Sequence, residues 1–150
     1  MNNAKSSTHV DKALTSFKEG FACSQAVLLS FADDFGLDKN TALKLASGFG
    51  GGMGRMGLTC GAVTGAYMVI GLKNGATTAQ NKAAKEQTYQ MVRDFNDRFK
   101  ARNHSLVCKE LLKCDISLPA GFEEAKQKGL LNTTCPKLVR DAVEILEEML

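Results

Sequence analysis

Apolar residues recur at α-helical spacing along nearly the whole chain and at strand spacing almost nowhere. Near the N-terminus the pattern i, i+3, i+4, i+7 is formed by Val10, Ala13, Leu14 and Phe17. At the other end, an apolar stripe at the same spacing is formed by Leu138, Ala142, Ile145, Leu146 and Met149. The sequence therefore predicts an all-α fold.

Cap and break residues divide the pattern into seven or eight helices. In the first half of the chain, Gly20 ends the first helix, residues 22–35 form the second, Asp38 caps the third and Thr59 caps a buried helix. In the second half, the longest helix covers residues 78–102 and Ser105 starts a short helix. The next helix runs from Pro119 to Gly129, and Thr134 with Pro136 opens the last. Short connections between long helices favour a bundle. With 150 residues, the chain can bury a core without metal or disulfides. We expect one domain over residues 1–150, with residues 1–7 disordered.

A run of 17 uncharged residues, 56–72, is the one candidate in the sequence for a membrane-spanning helix. Its length lies at the lower limit for a membrane span, and its four glycines and two threonines weaken its affinity for lipid. We interpret it as a central helix buried on all sides. The spacing of Gly57, Gly61 and Gly65 predicts close helix pairing, either within the chain or between two copies in a homodimer.

The charge pattern excludes some functions. The net charge is only +3, from 19 basic and 16 acidic residues that are scattered, so no nucleic-acid footprint is present. The polar N-terminus lacks a signal-peptide pattern, and we expect a cytoplasmic protein. In that reducing compartment, the five cysteines are free thiols, metal ligands or redox groups rather than structural bridges.

The cysteines are Cys23, Cys60, Cys108, Cys114 and Cys135, and no two form CxxC or the CxxCH of covalent haem. All but Cys114 are predicted at helix starts, where free N–H groups and the helix dipole favour the thiolate that binds metals and attacks disulfides. Cys114 falls at a helix end and is interpreted as a core residue. The alternative is that all five simply pack in the core.

A glycine-rich segment over residues 47–57 directly precedes Cys60. Gly52, Gly54 and Gly57 spell GxGxxG, but a helix rather than a strand precedes them, which argues against a dinucleotide site. Such a turn exposes backbone N–H groups that suit a phosphate or a thiolate-bound cluster. We therefore take Gly51, Gly52, Gly54 and Arg55 as candidate cofactor-binding residues. The alternative is a sharp connection between packed helices.

Residues 60–65 read Cys-Gly-Ala-Val-Thr-Gly, a CGAxxG motif, with Cys23 before it and Cys108 and Cys135 after it. In this respect the chain resembles the C_GCAxxG_C_C family, whose members are regarded as redox-active, although the family label places Gly before Cys. The resemblance also covers residues 23–27, 46–54, 108–112 and 135–136. Cys114 falls outside the four-cysteine pattern.

The resemblance implies redox or metal chemistry at Cys23, Cys60, Cys108 and Cys135. A related domain occurs in split-Soret cytochromes, which carry haem and an iron–sulfur centre. Because this chain lacks CxxCH, the resemblance implies only the iron–sulfur centre for it. We expect the four thiolates to bind an iron–sulfur cluster for electron transfer or redox sensing, with an unidentified redox partner protein. Members tend to be encoded near transporter genes, which implies a link to a membrane transporter.

Two alternatives to the cluster remain open. In a dithiol oxidoreductase, Cys60 attacks a disulfide and Cys135 resolves the product. In the other alternative, a closed zinc site or a helical module without a cofactor has only a structural role.

Overall fold

The structure, a computed structural model, describes residues 8–150. Within that range the protein is all-α, with eight α-helices, two short 3₁₀ turns and no strand, as the helical spacing predicts. The helices are α1 (His9–Lys18), α2 (Cys23–Ala32), α3 (Lys39–Ala46), α4 (Gly61–Asn74), α5 (Lys82–Asn103), α6 (Cys108–Leu112), α7 (Pro119–Gln127) and α8 (Leu130–Met149). The expected disorder of residues 1–7 lies outside the described residues.

Side-chain caps account for several helix starts. The Asp38 carboxylate accepts the Thr41 N–H, as predicted from the sequence. The longest helix begins at Lys82 rather than residue 78, because the Asn81 side chain accepts the Ala84 N–H and caps it there. The buried helix has Cys60 rather than Thr59 as its N-cap, because Thr59 is in an isolated β-bridge with Val107. The short helix begins at Cys108, three residues after Ser105.

The start of α8 differs most from the prediction. The helix begins at Leu130, directly after Gly129 in left-handed conformation, and not at Thr134. Pro136 therefore lies inside the helix instead of opening it. Proline is favoured in a first turn because its missing N–H is not needed there, and that preference led to the wrong boundary.

The α4 helix is the centre of the bundle, and its first six residues are all buried. Gly61 and Gly65 face α2, and a Cβ on Gly65 would lie 2.8 Å from the Ser24 carbonyl oxygen. The glycine pairing is therefore made within the chain, whereas Gly57 precedes the helix and is not on its face. None of the helices in residues 8–150 is long and apolar enough to span a membrane.

The buried residues form two separate clusters. The larger, here called the main core, joins α1 to α5 and α8 and includes Phe95 and Phe99. The smaller centres on residues 105–129, here called the cap, which contain α6 and α7. Three backbone hydrogen bonds tie the cap to the segment before α4: Cys60 N–H to Leu106 O (2.8 Å), Cys108 N–H to Leu58 O (2.6 Å) and Lys109 N–H to Gly57 O (3.2 Å).

Candidate functional site

Four of the five cysteines line one cavity of about 610 Å³. Cys23 is the first residue of α2 and Cys60 is the N-cap of α4, and both belong to the main core. Cys135 lies within α8 and packs against the smaller cluster. Cys108, the first residue of α6, is contributed by the cap. The cavity therefore lies where the main core meets the cap.

The glycine-rich segment forms a left-handed turn beside this cavity. Residues 51–55 all have φ between 59° and 69°, a conformation that costs non-glycine residues roughly 1–2 kcal/mol each. Two of the five, Met53 and Arg55, are not glycine. Backbone hydrogen bonds hold the turn closed, among them Arg55 N–H to Gly50 O (3.1 Å) and Gly57 N–H to Gly51 O (3.2 Å).

Two glycines let other backbone segments reach the cysteines. A Cβ on Gly61 would collide with Cys23 Sγ, and one on Gly52 would lie 2.6 Å from Cys108 Cβ. Interatomic distances this short do not occur between real carbon atoms, so side chains at these positions would displace the cysteines. The glycine that follows Cys60 in the CGAxxG motif thus makes room for a second sulfur.

Cys23 is the most acidic thiol of the site. Its pKa is lowered to about 7, chiefly because the Cys60 thiol donates a hydrogen bond to it, against the opposing effect of burial. The N–H groups of Gly51 and Ser24 also donate to the Cys23 sulfur. Cys60 has a pKa well above its ordinary value because it gives that hydrogen bond and is itself buried. The Cys23 and Cys60 thiols therefore act as a pair in which Cys23 is the more acidic member.

The other two cysteines of the cavity favour the thiol. Burial raises the pKa of Cys108 to about 12, and the negative charge on Cys23 adds to this effect. Burial also raises the pKa of Cys135 to about 12, with further contributions from Cys23 and Cys108. The prediction that helix starts favour all four thiolates therefore holds for Cys23 and is wrong for Cys60, Cys108 and Cys135. Cys135 is inside a helix, and at Cys108 desolvation outweighs the helix dipole.

Cys114 does not line the cavity. Its thiol donates to the Glu124 carboxylate over 3.4 Å, and its pKa is raised by burial and by that carboxylate. It is buried in the cap, in agreement with its interpretation as a core residue.

The candidate cofactor-binding residues divide into two groups. Gly51, Gly54 and Arg55 line the cavity, whereas Gly52 does not and instead packs against Cys108. Sequence reasoning missed Phe122, which also lines the cavity. The Cζ atom of the Arg55 guanidinium lies 4.2 Å from the centroid of the Phe122 ring. No sequence signal could have found this contact, because the two residues belong to segments far apart in the chain.

The spacing of the ligands bears on which metal would fit. In residues 8–150, no three His, Cys, Asp or Glu side chains are grouped closely enough to hold a single metal ion. The four cysteines thus surround a common space without meeting at one point.

Comparisons with known proteins give one match. A family model described as "Putative redox-active protein (C_GCAxxG_C_C)" matches residues 21–149, which is most of the chain and includes every cavity cysteine. The chain has no match among curated proteins or among solved structures. The match confirms the resemblance in the sequence: this chain belongs to the C_GCAxxG_C_C family.

Proposed function

We propose that Cys23, Cys60, Cys108 and Cys135 bind an iron–sulfur cluster, and that the protein transfers electrons or senses redox state. The observation that carries this proposal is that four thiols from four separate segments line one cavity. Within it, the charge on Cys23 raises the pKa of each of the other three thiols. Thiolates that repel one another in this way gain stability from a bound cation.

The donor set fits a cluster better than a zinc ion. A structural zinc site needs four ligand atoms at about 2.0–2.3 Å from one ion, and the described side chains are too dispersed for that. In a cluster, by contrast, the cysteines bind different iron atoms and lie further apart. No carboxylate within residues 8–150 lines the cavity, so this part of the chain places no hard oxygen ligand there in competition with the sulfurs.

The surrounding residues have definite tasks in this proposal. The N–H groups of Gly51 and Ser24 stabilise negative charge on the Cys23 sulfur, and apolar neighbours such as Leu112 and Ile116 keep water away. Cys60, Cys108 and Cys135 must lose their protons before they can ligate, so loading should become more favourable as pH rises. A bound cluster would supply one-electron chemistry.

The test is anaerobic purification and reconstitution, followed by measurement of iron, acid-labile sulfide and the visible absorption spectrum. We expect bound iron and sulfide in the wild type and a large loss in each single Cys→Ser variant of the four cavity positions. Cys114→Ser is the matched control and should load as the wild type does. Absence of iron and sulfide after reconstitution, or an equal loss in Cys114→Ser, would contradict the proposal.

A second candidate function rests on the pairing of Cys23 and Cys60, which line the same cavity and of which Cys23 has the lowered pKa. In a dithiol oxidoreductase, the Cys23 thiolate attacks a substrate disulfide, forms a mixed disulfide and releases one thiolate. Cys60, once deprotonated, then attacks the Cys23 sulfur, which forms the Cys23–Cys60 disulfide and releases the second thiol as the substrate is fully reduced. The pKa order favours Cys23 as the attacking residue, in place of the Cys60 and Cys135 pair expected from sequence.

Peptide mapping after mild oxidation of the metal-free protein separates the two pairings. A Cys23–Cys60 disulfide that still forms in Cys135→Ser would support the Cys23–Cys60 pair, and a Cys60–Cys135 disulfide in the wild type would support the sequence prediction. Survival of disulfide reductase activity in a chelator would favour this second function over the cluster. The redox partner, the transporter link, the homodimer and the cytoplasmic location stay predictions.

A further inference from the structure

The cysteine cavity is large enough for a small organic molecule. Its volume of about 610 Å³ lies within the roughly 300–1,000 Å³ of ligand pockets. Its lining also has the usual composition of such pockets: mainly apolar side chains with a few polar groups. The polar side chains Gln25 and Ser47 are already occupied, because Gln25 donates to Leu43 O and Ser47 donates to Lys44 O.

Among the lining residues that the structure describes, Arg55 is the only one whose side chain has a permanent charge. Within residues 8–150, no carboxylate lies within 4 Å of its guanidinium, so its charge has no ionic partner there. It sits in the left-handed turn with φ of 61°, a conformation that an arginine adopts only at a cost. Local strain at a charged residue beside a pocket is typical of functional sites.

A second cation shares the ring against which Arg55 is stacked. Lys126 Nζ lies 4.4 Å from the Phe122 centroid, and Arg55 Cζ lies 4.2 Å from it. Lys126 likewise has no carboxylate within 4 Å among the described residues. Phe122 lines the cavity, so this edge of it has two cations beside it, Arg55 in the lining and Lys126 just outside the lining. Such an edge attracts anions.

We propose that this edge of the cavity binds small molecules that carry a carboxylate. Arg55 accommodates the carboxylate through its planar guanidinium, and Lys126 adds positive charge beside it. The apolar lining receives the rest of the molecule, with the cysteines within its reach. This inference goes beyond the proposed function, and its test uses the metal-free protein, so its failure leaves the cluster proposal standing.

The experiment compares two aromatic disulfides that differ in charge. The probe is 5,5′-dithiobis(2-nitrobenzoic acid), which carries two carboxylates, and the control reagent is the neutral 2,2′-dithiodipyridine. A protein thiolate attacks one sulfur of either reagent, a mixed disulfide forms and a coloured thiolate or thione leaves. The rates are measured on full-length reduced protein at pH 7.5, with Cys114→Ser in every variant so that the signal comes from the cavity.

We expect Arg55→Gln to slow the anionic reagent by about fivefold, the effect of one charge a few ångströms away in a water-like medium, and to leave the neutral reagent unchanged. Lys126→Gln should slow the anionic reagent less, Arg55→Lys should retain most of the rate, and 1 M salt should bring the wild type close to Arg55→Gln. Arg93→Gln, which removes a charge outside the cavity, is the matched control.

Equal slowing of both reagents by Arg55→Gln would mean that the arginine only shapes the cavity, and an unchanged anionic rate would mean that it binds nothing there. Either result would overturn the inference. Should Arg55→Gln fold poorly, Lys126→Gln decides the question, because Lys126 is in the last turn of α7 and outside the cavity lining. An unchanged anionic rate in Lys126→Gln would then have the same meaning.

Discussion

Most large side chains of the main core are completely buried, whereas those of the cap keep a little exposure. Phe95 and Phe99 in the main core are 0% exposed, while Leu112 and Ile116 in the cap are 4% exposed. Of the four cavity cysteines, Cys23 and Cys60 belong to the main core, whereas Cys108 belongs to the smaller cluster and Cys135, on α8, packs against that cluster. The cavity therefore lies between the large main core and the smaller cap. A group bound to all four cysteines would link the cap to the main core.

This difference leads us to expect unequal stability. The cap has a small cluster of buried residues and a few backbone hydrogen bonds to the segment before α4. Regions with few buried apolar contacts open locally at a lower free energy than the whole protein needs to unfold. We therefore expect the cap to open first, which would expose Cys108 while the other cavity cysteines stay on folded helices.

The largest expected effect tests whether the main core and the cap unfold separately. Phe95→Ala should lower the free energy of unfolding by about 3–5 kcal/mol, because it leaves a cavity in the main core. Ile116→Ala should have a smaller effect on global unfolding and should instead speed amide hydrogen exchange in residues 105–129. Denaturant titration measures the first quantity and hydrogen-exchange mass spectrometry the second. Equal global destabilisation with uniform loss of protection would mean that core and cap unfold as one unit.

The next effect concerns how the main core positions its cysteines. Gly61→Ala should destabilise the protein by about 1–3 kcal/mol, because the new Cβ would collide with Cys23 Sγ. Gly71→Ala, in the same helix, is the matched control: a Cβ there meets nothing within 4 Å, so we expect a gain of roughly 0.5–1 kcal/mol from helix propensity. Thermal unfolding of both variants checks this contrast. Similar effects at the two positions would refute the close approach between α4 and Cys23.

The smallest expected effect is a shift in the pKa of Cys23, which compares the influence of Cys60 in the main core with that of Cys108 in the cap. Cys60→Ala should raise the pKa of Cys23 above about 7, because the hydrogen bond from Cys60 is the largest cause of its lowering. The thiolate fraction at pH 7 would then fall, and Cys23 would react more slowly with iodoacetamide. The pH dependence of alkylation at Cys23, followed by mass spectrometry, measures the shift.

The control for this comparison is Cys108→Ala in the cap. Cys108 is not among the groups that lower the pKa of Cys23, so its loss should leave the alkylation profile without an upward shift. An equal rise in both variants would assign the acidity of Cys23 to the cavity as a whole rather than to the Cys60 thiol.

Local reasoning succeeded at Cys23 and failed at Cys135, and the two show where its limit lies. At Cys23 the helix start and the nearby glycine turn both supply N–H donors, so the expected stabilisation of the thiolate is present. At Cys135 the helix start was placed several residues late, and burial raises the pKa to about 12. Burial depends on what packs over a residue, which its neighbours in sequence do not reveal.

The glycine-rich segment was predicted in part. Its composition indicated a turn with exposed N–H groups, and the Gly51 N–H does donate to Cys23. Its left-handed course includes Met53 and Arg55, which do not favour that conformation on their own. Closure of the turn by its own hydrogen bonds, and packing of the cap against Gly52, keep it in place.

The sequence by itself determined the all-α fold, the buried central helix and the family, because apolar spacing and short motifs are properties of neighbouring residues. Only the tertiary structure decided which cysteines share the cavity, which thiols stay protonated and which ring lies beside Arg55. These features depend on desolvation and on contacts between segments far apart in the chain. Such contacts arise only when the helices pack together, and no local pattern encodes them.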